Sequence, residues 1–181
     1  MDLHTLVNSS IKGDRKAQNL LYMNTSKKMY AVCIRFIKDP DLAKDLLQDS
    51  YVKIFKSINH YNGQGHIEAW MRRIVVNTCI DHLTRSKKNT VDQELLQESL
   101  YAEPEENDNE LYSPEVLMQA ILELETPFRL VFNLFCVEDY SHDEIAEALQ
   151  IDPATSRSRL RRAKQKLHEI LKRKEASLQK H

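Results

Sequence analysis

Two short predicted helices separated by a tight turn occupy residues 140–171, and this stretch constrains the fold more than any other. Ser141 followed three residues later by Glu144 is the sequence pattern of a capping box, which marks the start of a helix. Apolar residues then repeat at helical spacing, so we expect a first helix over residues 142–149.

The second helix of the pair combines an apolar stripe with a basic remainder. Asp152 is a favourable N-cap, and Pro153 suits the first helical position because its missing N–H would be unpaired there anyway. Apolar residues at positions 160, 163, 167 and 171 form the stripe. The remaining arc carries Thr155, Ser156, Arg157, Ser158, Arg159, Arg161, Arg162 and Lys164. The two helices and their turn therefore predict a helix-turn-helix.

The charge of the second helix indicates nucleic-acid binding. Between positions 155 and 174, nine Lys or Arg residues stand against one acid. A helix fits the major groove, Arg can bind guanine edges through two hydrogen bonds, and Lys, Ser and Thr can hold phosphates. We interpret the helix as a recognition helix. The alternative is a basic amphipathic helix that binds nothing in particular.

Composition favours an all-helical protein with two domains. The 181 residues include only 3 Gly, and 41% are hydrophobic. Net charge is −1, but it is unevenly distributed: residues 1–90 carry 15 bases and 8 acids, residues 91–126 carry 11 acids and no base, and residues 127–181 carry 11 bases and 8 acids. We expect domains over 1–90 and 114–175, joined by an acidic flexible linker over 91–113.

Several classes of protein are disfavoured. Cys33, Cys79 and Cys136 have no spacing typical of a zinc site or disulfide framework, so we interpret them as small core residues in a reducing cytoplasm. No apolar run is long enough to span a membrane. The pair Asp81 and His82 lacks a second histidine cluster, so we expect no metal site, no cofactor and no enzyme activity.

In the N-terminal half, helical periodicity predicts helices over 3–11, from 14 to the Asp39-Pro40 break, over 41–58 and over 67–85. The third of these leaves polar side chains outside its apolar face, namely Asp45, Gln48, Asp49 and Lys53. A glycine-containing loop over 60–66 precedes the fourth helix.

Aromatic and basic residues are mixed around this loop and the helix after it. Tyr61 and Trp70 lie near Arg72 and Arg73, a mixture typical of sites where single-stranded bases stack on rings and the backbone meets positive charge. The alternative for Trp70 is a core residue, because a lone Trp on an apolar helical face is more often buried.

Motifs in both halves carry a resemblance to a known family. They occupy residues 41–55, 69–81, 126–129, 140–146 and 154–163. In this order they closely resemble the extracytoplasmic-function sigma factors of bacterial RNA polymerase, members of the sigma-70 family, over nearly the whole chain. Gln150 departs from the pattern because a glycine often makes this turn in the family.

The resemblance implies a cytoplasmic, non-enzymatic initiation factor whose partners are core RNA polymerase and promoter DNA. An anti-sigma factor is a further partner that members commonly have. The first domain would dock on the polymerase through Asp45, Gln48, Asp49 and Lys53. It would open the minus-ten element through Tyr61, Asn62, Trp70, Arg72, Arg73 and Asn77. The recognition helix would read the minus-thirty-five element.

Two other classes of function are weighed against this one. The runner-up is a helix-turn-helix regulator that binds duplex DNA without polymerase. The third is an enzyme such as a phosphohydrolase using Asp81 and His82, which no nucleophile or phosphate-binding loop supports.

Overall fold

The described part of the chain is helical and contains no strand. The computed structural model describes residues 3–61, 63, 65–87 and 112–178. It divides into two compact units, Met1–Arg85 and Ser86–His181. The predicted all-α fold with two helical domains, the second containing a helix-turn-helix, is confirmed. Residues 91–111 of the predicted acidic linker lie outside the described residues.

Side-chain caps define where two helices of the first unit, α2 and α3, begin. These elements are α1 Leu3–Ile11, α2 Arg15–Ile37, α3 Pro40–Ser57, a 3-10 turn Ile58–His60, and α4 Ile67–Lys87. The Asp14 carboxylate accepts hydrogen bonds from the backbone N–H of Lys16 at 2.8 Å and of Ala17 at 3.3 Å. Asp39 caps α3 in the same way, so this helix begins one residue before the predicted start.

The core of the first unit draws on all four helices. Leu6 of α1, Phe36 of α2, Ile54 of α3 and Val75 of α4 are each at most 1% exposed. Such packing of apolar stripes is what holds short helices in place, since isolated helices of this length are marginal in water. These residues therefore form the buried side of each helix.

The cysteines are free, and their placement differs from the prediction at one position. Cys33 of α2 and Cys79 of α4 are fully buried, which confirms them as core residues. Cys136 is exposed, so its predicted burial is wrong. It is the last residue of its helix, Thr126–Cys136.

The second unit packs three helices around the long basic one. The elements are α5 Pro114–Glu123, α6 Thr126–Cys136, α7 His142–Leu149 and α8 Pro153–Leu178. Ile121 and Leu124 pack with Ala163, Leu167 and Leu171 in one buried cluster, to which Phe128 and Phe132 of α6 add partly buried rings. The apolar stripe predicted from spacing is therefore the core-facing side of α8.

A buried arginine joins α5 to α6. Arg129 is 3% exposed, and its Nη1 donates to the Leu124 carbonyl at 2.7 Å while its Nη2 donates to the Thr126 hydroxyl at 3.4 Å. Burial lowers the pKa of Arg129. The contact satisfies a carbonyl at the end of α5 and gives a structural reason for the motif at residues 126–129.

The helix-turn-helix forms as its capping signals predict. The Ser141 side chain accepts from the Glu144 N–H while the Glu144 carboxylate accepts from the Ser141 N–H, which completes the capping box. Gln150 makes the turn in the left-handed region, at φ 55° and ψ 47°. Asp152 then accepts from the Thr155 N–H at 2.7 Å and starts α8. Local signals thus set where α8 begins.

Candidate nucleic-acid interface

The exposed face of α8 presents positive charge beside its buried stripe. Arg157, Arg161 and Lys164 follow one another at intervals of four and three residues, so they lie on the same side of the helix. All three are exposed, as is Ser158 beside them. A helix with this face can enter the major groove with its cations toward bases and phosphates.

Three predicted members of the arc are only partly exposed to solvent. Arg159 and Arg162 are half-buried, which places them at the margin of the exposed face. Thr155 is also half-buried, and its hydroxyl donates to the Asp152 carboxylate at 2.7 Å. Its side chain therefore takes part in the cap of α8.

Ser156 is the clearest correction within the recognition helix. It is 0% exposed, so its predicted place on the outward arc is wrong. Its hydroxyl lies 2.9 Å from His142 Nδ1 at the start of α7, and the His142 ring stacks on Phe135 of α6 at 4.6 Å between centroids. Burial and the nearby Arg157 lower the pKa of His142. Ser156 thus ties α8 to its neighbours where α6, α7 and α8 meet.

In the first unit, one face of α4 carries three of the six residues predicted for the minus-ten element. Trp70, Arg73 and Asn77 are spaced by three and four residues and so lie on the same side. Arg73 and Asn77 are exposed, and Trp70 is half-buried. Arg72 is half-buried and, at about 100° per residue, points away from this face.

Tyr61 braces the loop that precedes α4. Its ring packs against Trp70 at 5.8 Å between centroids, and its hydroxyl donates to the Gly65 carbonyl at 2.6 Å. Gly63 and Gly65 have φ of +77° and +76°, the left-handed region that favours glycine. Asn62, also predicted here, lies outside the described residues.

The outer face of α3 carries the residues predicted to contact the polymerase. Asp45, Gln48 and Asp49 are exposed and lie within one turn. Lys53 differs from them, because its Nζ donates to the Thr78 hydroxyl of α4 at 3.0 Å and lies 3.7 Å from the Asp81 carboxylate. The structure thus brings three of the four residues together on the outer face and turns the fourth toward α4.

Two family matches cover most of this layout. Residues 21–89 match Sigma-70 region 2, and residues 115–167 match Sigma-70, region 4. The RNA polymerase sigma-H factor of Pseudomonas aeruginosa is 28% identical over 179 residues, covering 92% of each chain. The ECF RNA polymerase sigma-E factor of Haemophilus influenzae is 28% identical over 171 residues, covering 88% of this chain and 90% of the relative. The chain belongs to the extracytoplasmic-function sigma factors of the sigma-70 family.

Solved structures agree with this sigma factor in fold. The sigma factor RpoE of Bartonella quintana, in complex with the anti-sigma factor NepR, aligns with a TM-score of 0.51 at 21% identity, covering 85% of this chain and 96% of that one. CnrH in complex with the cytosolic domain of CnrY aligns with a TM-score of 0.51 at 19% identity, covering 94% and 98%. At these identities the similarity shows the fold alone.

Membership of the family confirms the predicted function. The sigma factor directs RNA polymerase to specific promoters in transcription initiation, and its partners are core polymerase and promoter DNA. The family is one of initiation factors. None of the relatives named above supports a polymerase-independent regulator. Within the residues described, no helix is long and apolar enough to cross a membrane.

The structure adds residues to the sigma factor's candidate surfaces that sequence reasoning missed. Val52 is 48% exposed and extends the Asp45 face of α3 by one turn, a position its spacing from Asp45 already indicated. A cavity of about 230 Å³ lies between α1 and the loop before α4. His4 and Val7 line it from α1, and Tyr61 and His66 line it from the loop. No local signal links α1 to that loop, because only tertiary packing brings them together.

Proposed function

We propose that the two units of this sigma factor hold two different promoter elements. The first, over residues 1–90, docks on core polymerase and opens the minus-ten element. The second, over residues 114–175, reads the minus-thirty-five element through its helix-turn-helix, and residues 91–113 connect the two. Both units act inside the cytoplasm on DNA that the polymerase holds.

The observation that carries the proposal is the exposed basic face of α8. Arg157, Ser158, Arg161 and Lys164 are exposed beside a stripe that is fully used in packing. The core therefore covers the apolar side of α8, and the cationic side is exposed on the second helix of a helix-turn-helix. This supports major-groove reading by α8, with Arg157 as the leading candidate for a base contact.

The α4 face supports a role at the minus-ten element. Capturing an unpaired base costs a few kcal/mol of unstacking, so a ring to stack on and a cation for the backbone are needed nearby. Trp70 supplies the ring, Arg73 supplies the cation, and Asn77 supplies amide groups for a base edge. Tyr61 acts by holding the loop against Trp70.

The outer face of α3 supports docking on the polymerase. Asp45, Gln48 and Asp49 offer carboxylate and amide groups on one side of the helix, and Val52 adds an exposed apolar side chain beside them. A polar rim around an apolar centre is typical of protein interfaces. An anti-sigma factor that covers one or both units completes the proposed set of partners.

Run-off transcription with purified core polymerase tests the proposal. Candidate promoters, including that of the factor's own operon, are transcribed with and without the protein. We expect promoter-dependent products only in its presence. Loss of product with Asp49→Ala should accompany weaker core binding, whereas loss with Arg157→Ala should leave core binding unchanged. No promoter-dependent product from any template would refute the proposal.

Duplex binding in the absence of polymerase separates the regulator from the sigma factor. A factor that needs polymerase to hold both units in register should bind the isolated duplex weakly. Tight, sequence-specific binding of the free protein to the duplex, with no change on adding core polymerase, would favour the regulator.

A further inference from the structure

Lys53 occupies an unusual place on the polymerase-facing helix. At about 100° per residue it lies some 40° further round α3 than Asp49, at the edge of the exposed polar face. Its ammonium group turns away from that face and donates to the Thr78 hydroxyl at 3.0 Å. The Asp81 carboxylate is 3.7 Å from the same nitrogen. Lys53 therefore bridges α3 and α4.

The receiving side of this bridge is well defined. Thr78 is 4% exposed, and its hydroxyl donates to the Ile74 carbonyl at 2.8 Å, so it accepts the hydrogen bond from Lys53. Asp81 lies one turn beyond Asn77 on α4. Lys53 thus contacts α4 next to the face that carries Asn77 and Trp70.

We propose that Lys53 is a positioning residue for promoter opening, which acts by fixing the rotation of α4 against the helix that docks on the polymerase. The inference rests on the proposed roles of α3 and α4. Polymerase holds α3, and the Lys53 ammonium holds α4 to α3, so the α4 face is presented to the minus-ten strand in one orientation. Lys53 itself contacts neither the polymerase nor the DNA.

The test compares a duplex promoter with the same promoter pre-melted over the minus-ten element. Lys53→Met keeps the length of the side chain and removes its charge and donor, while Lys53→Arg keeps both. Lys56→Met, on an exposed lysine of the same helix, is the matched control. Each variant is assembled with core polymerase, and core affinity, permanganate reactivity of the minus-ten element and run-off product are measured.

We expect Lys53→Met to bind core polymerase with an affinity within about twofold of wild type. It should open the duplex promoter roughly fivefold to tenfold less, because a charged hydrogen bond at a half-exposed site is lost. The pre-melted promoter should restore product to near the wild-type amount. Lys53→Arg should open the duplex more readily than Lys53→Met, and Lys56→Met should behave as wild type. Asp81→Asn combined with Lys53→Met should cost less than the two single effects together.

Other outcomes overturn the inference. Weaker core binding by Lys53→Met, with equal loss on both templates, would make Lys53 a polymerase contact. Unchanged opening of the duplex would remove any positioning role. Arg73→Ala distinguishes the two levels of proposal: if it also leaves opening unchanged, the assigned role of α4 fails together with the inference, whereas impaired opening by Arg73→Ala alone refutes only the inference about Lys53.

Discussion

Replacing Arg157 by alanine should weaken promoter binding by the holoenzyme and flatten its preference at one base pair of the minus-thirty-five element. The side chain is exposed near the start of α8, so it can reach a guanine edge with both terminal nitrogens. A bidentate contact of this kind discriminates by about 1–3 kcal/mol, or roughly 5- to 150-fold. The free energy of unfolding should change by less than about 0.5 kcal/mol, because no core packing is removed.

The assay measures open-complex formation by the holoenzyme on promoters that differ by single base pairs in the minus-thirty-five element, at several salt concentrations. Ser156→Ala is the matched variant, since this adjacent side chain is buried and bonded to His142. It should lower the free energy of unfolding by about 0.5–1.5 kcal/mol and leave the order of preferred promoters unchanged.

A different pattern would refute this reasoning. Equal loss by Arg157→Ala on every promoter, with the salt dependence reduced by about one phosphate contact, would identify Arg157 as a backbone contact. Altered base preference in Ser156→Ala with unchanged stability would show that the buried residue, and not the exposed one, reads the sequence.

Three further predictions concern stability. Thr25→Val should destabilise the first unit by about 1–3 kcal/mol, because the buried Tyr51 hydroxyl, which lies 2.6 Å from Thr25 Oγ1, loses its acceptor. The double variant with Tyr51→Phe should lose less. The fluorescence of Trp70, the only tryptophan, reports unfolding of this unit. Burial lowers the pKa of His142, so the folded state favours the neutral imidazole. The contribution of His142 to the free energy of unfolding should be complete above about pH 6.5 and should be lost as pH falls through the lower folded-state pKa. His142→Gln should remove this pH dependence, measured by urea unfolding followed by helical circular dichroism. Gln150→Gly should stabilise the second unit by up to about 1 kcal/mol, measured the same way, because φ is +55° there.

Each of these has an outcome that contradicts it. A double variant less stable than Thr25→Val would mean that the Tyr51 hydroxyl stabilises the unit through a contact other than the one with Thr25. An unchanged slope with pH in His142→Gln would assign the titration to another group. Loss of stability in Gln150→Gly would show that the Gln150 side chain holds the turn through its own contacts.

Much of the fold could be predicted from the sequence because its signals are local. Asp14, Ser113, Ser141 and Asp152 each cap a helix through a backbone N–H two or three residues away, and the cap and its partner are therefore visible in one short stretch. The buried stripe of α8 follows from helical spacing in the same way. Both features can be predicted from a short stretch of sequence, without information about distant parts of the chain.

The errors occurred at residues whose burial differs from what their residue type suggests. Ser156 lies four residues before Leu160 and seven before Ala163, so helical spacing already continues the buried stripe of α8 through it. Its polar type led to the wrong assignment, and its buried hydroxyl is paired with His142 of α7. Cys136 shows the opposite case, because this apolar residue at the last position of α6 is exposed. The cavity beside Tyr61 depends on contact between α1 and a loop far along the sequence.

Ser156 and Lys53 have a common consequence for how the surfaces of this sigma factor work. A helical pattern states which residues share a face, but the direction in which that face points depends on contacts with neighbouring helices. In the second unit the contact is Ser156 to His142, and in the first it is Lys53 to Thr78. Substituting such residues should impair promoter use without removing any contact to DNA or polymerase. Alanine scanning judged by activity alone would therefore assign both to the interface, whereas unfolding measurements and pre-melted templates separate orientation from contact.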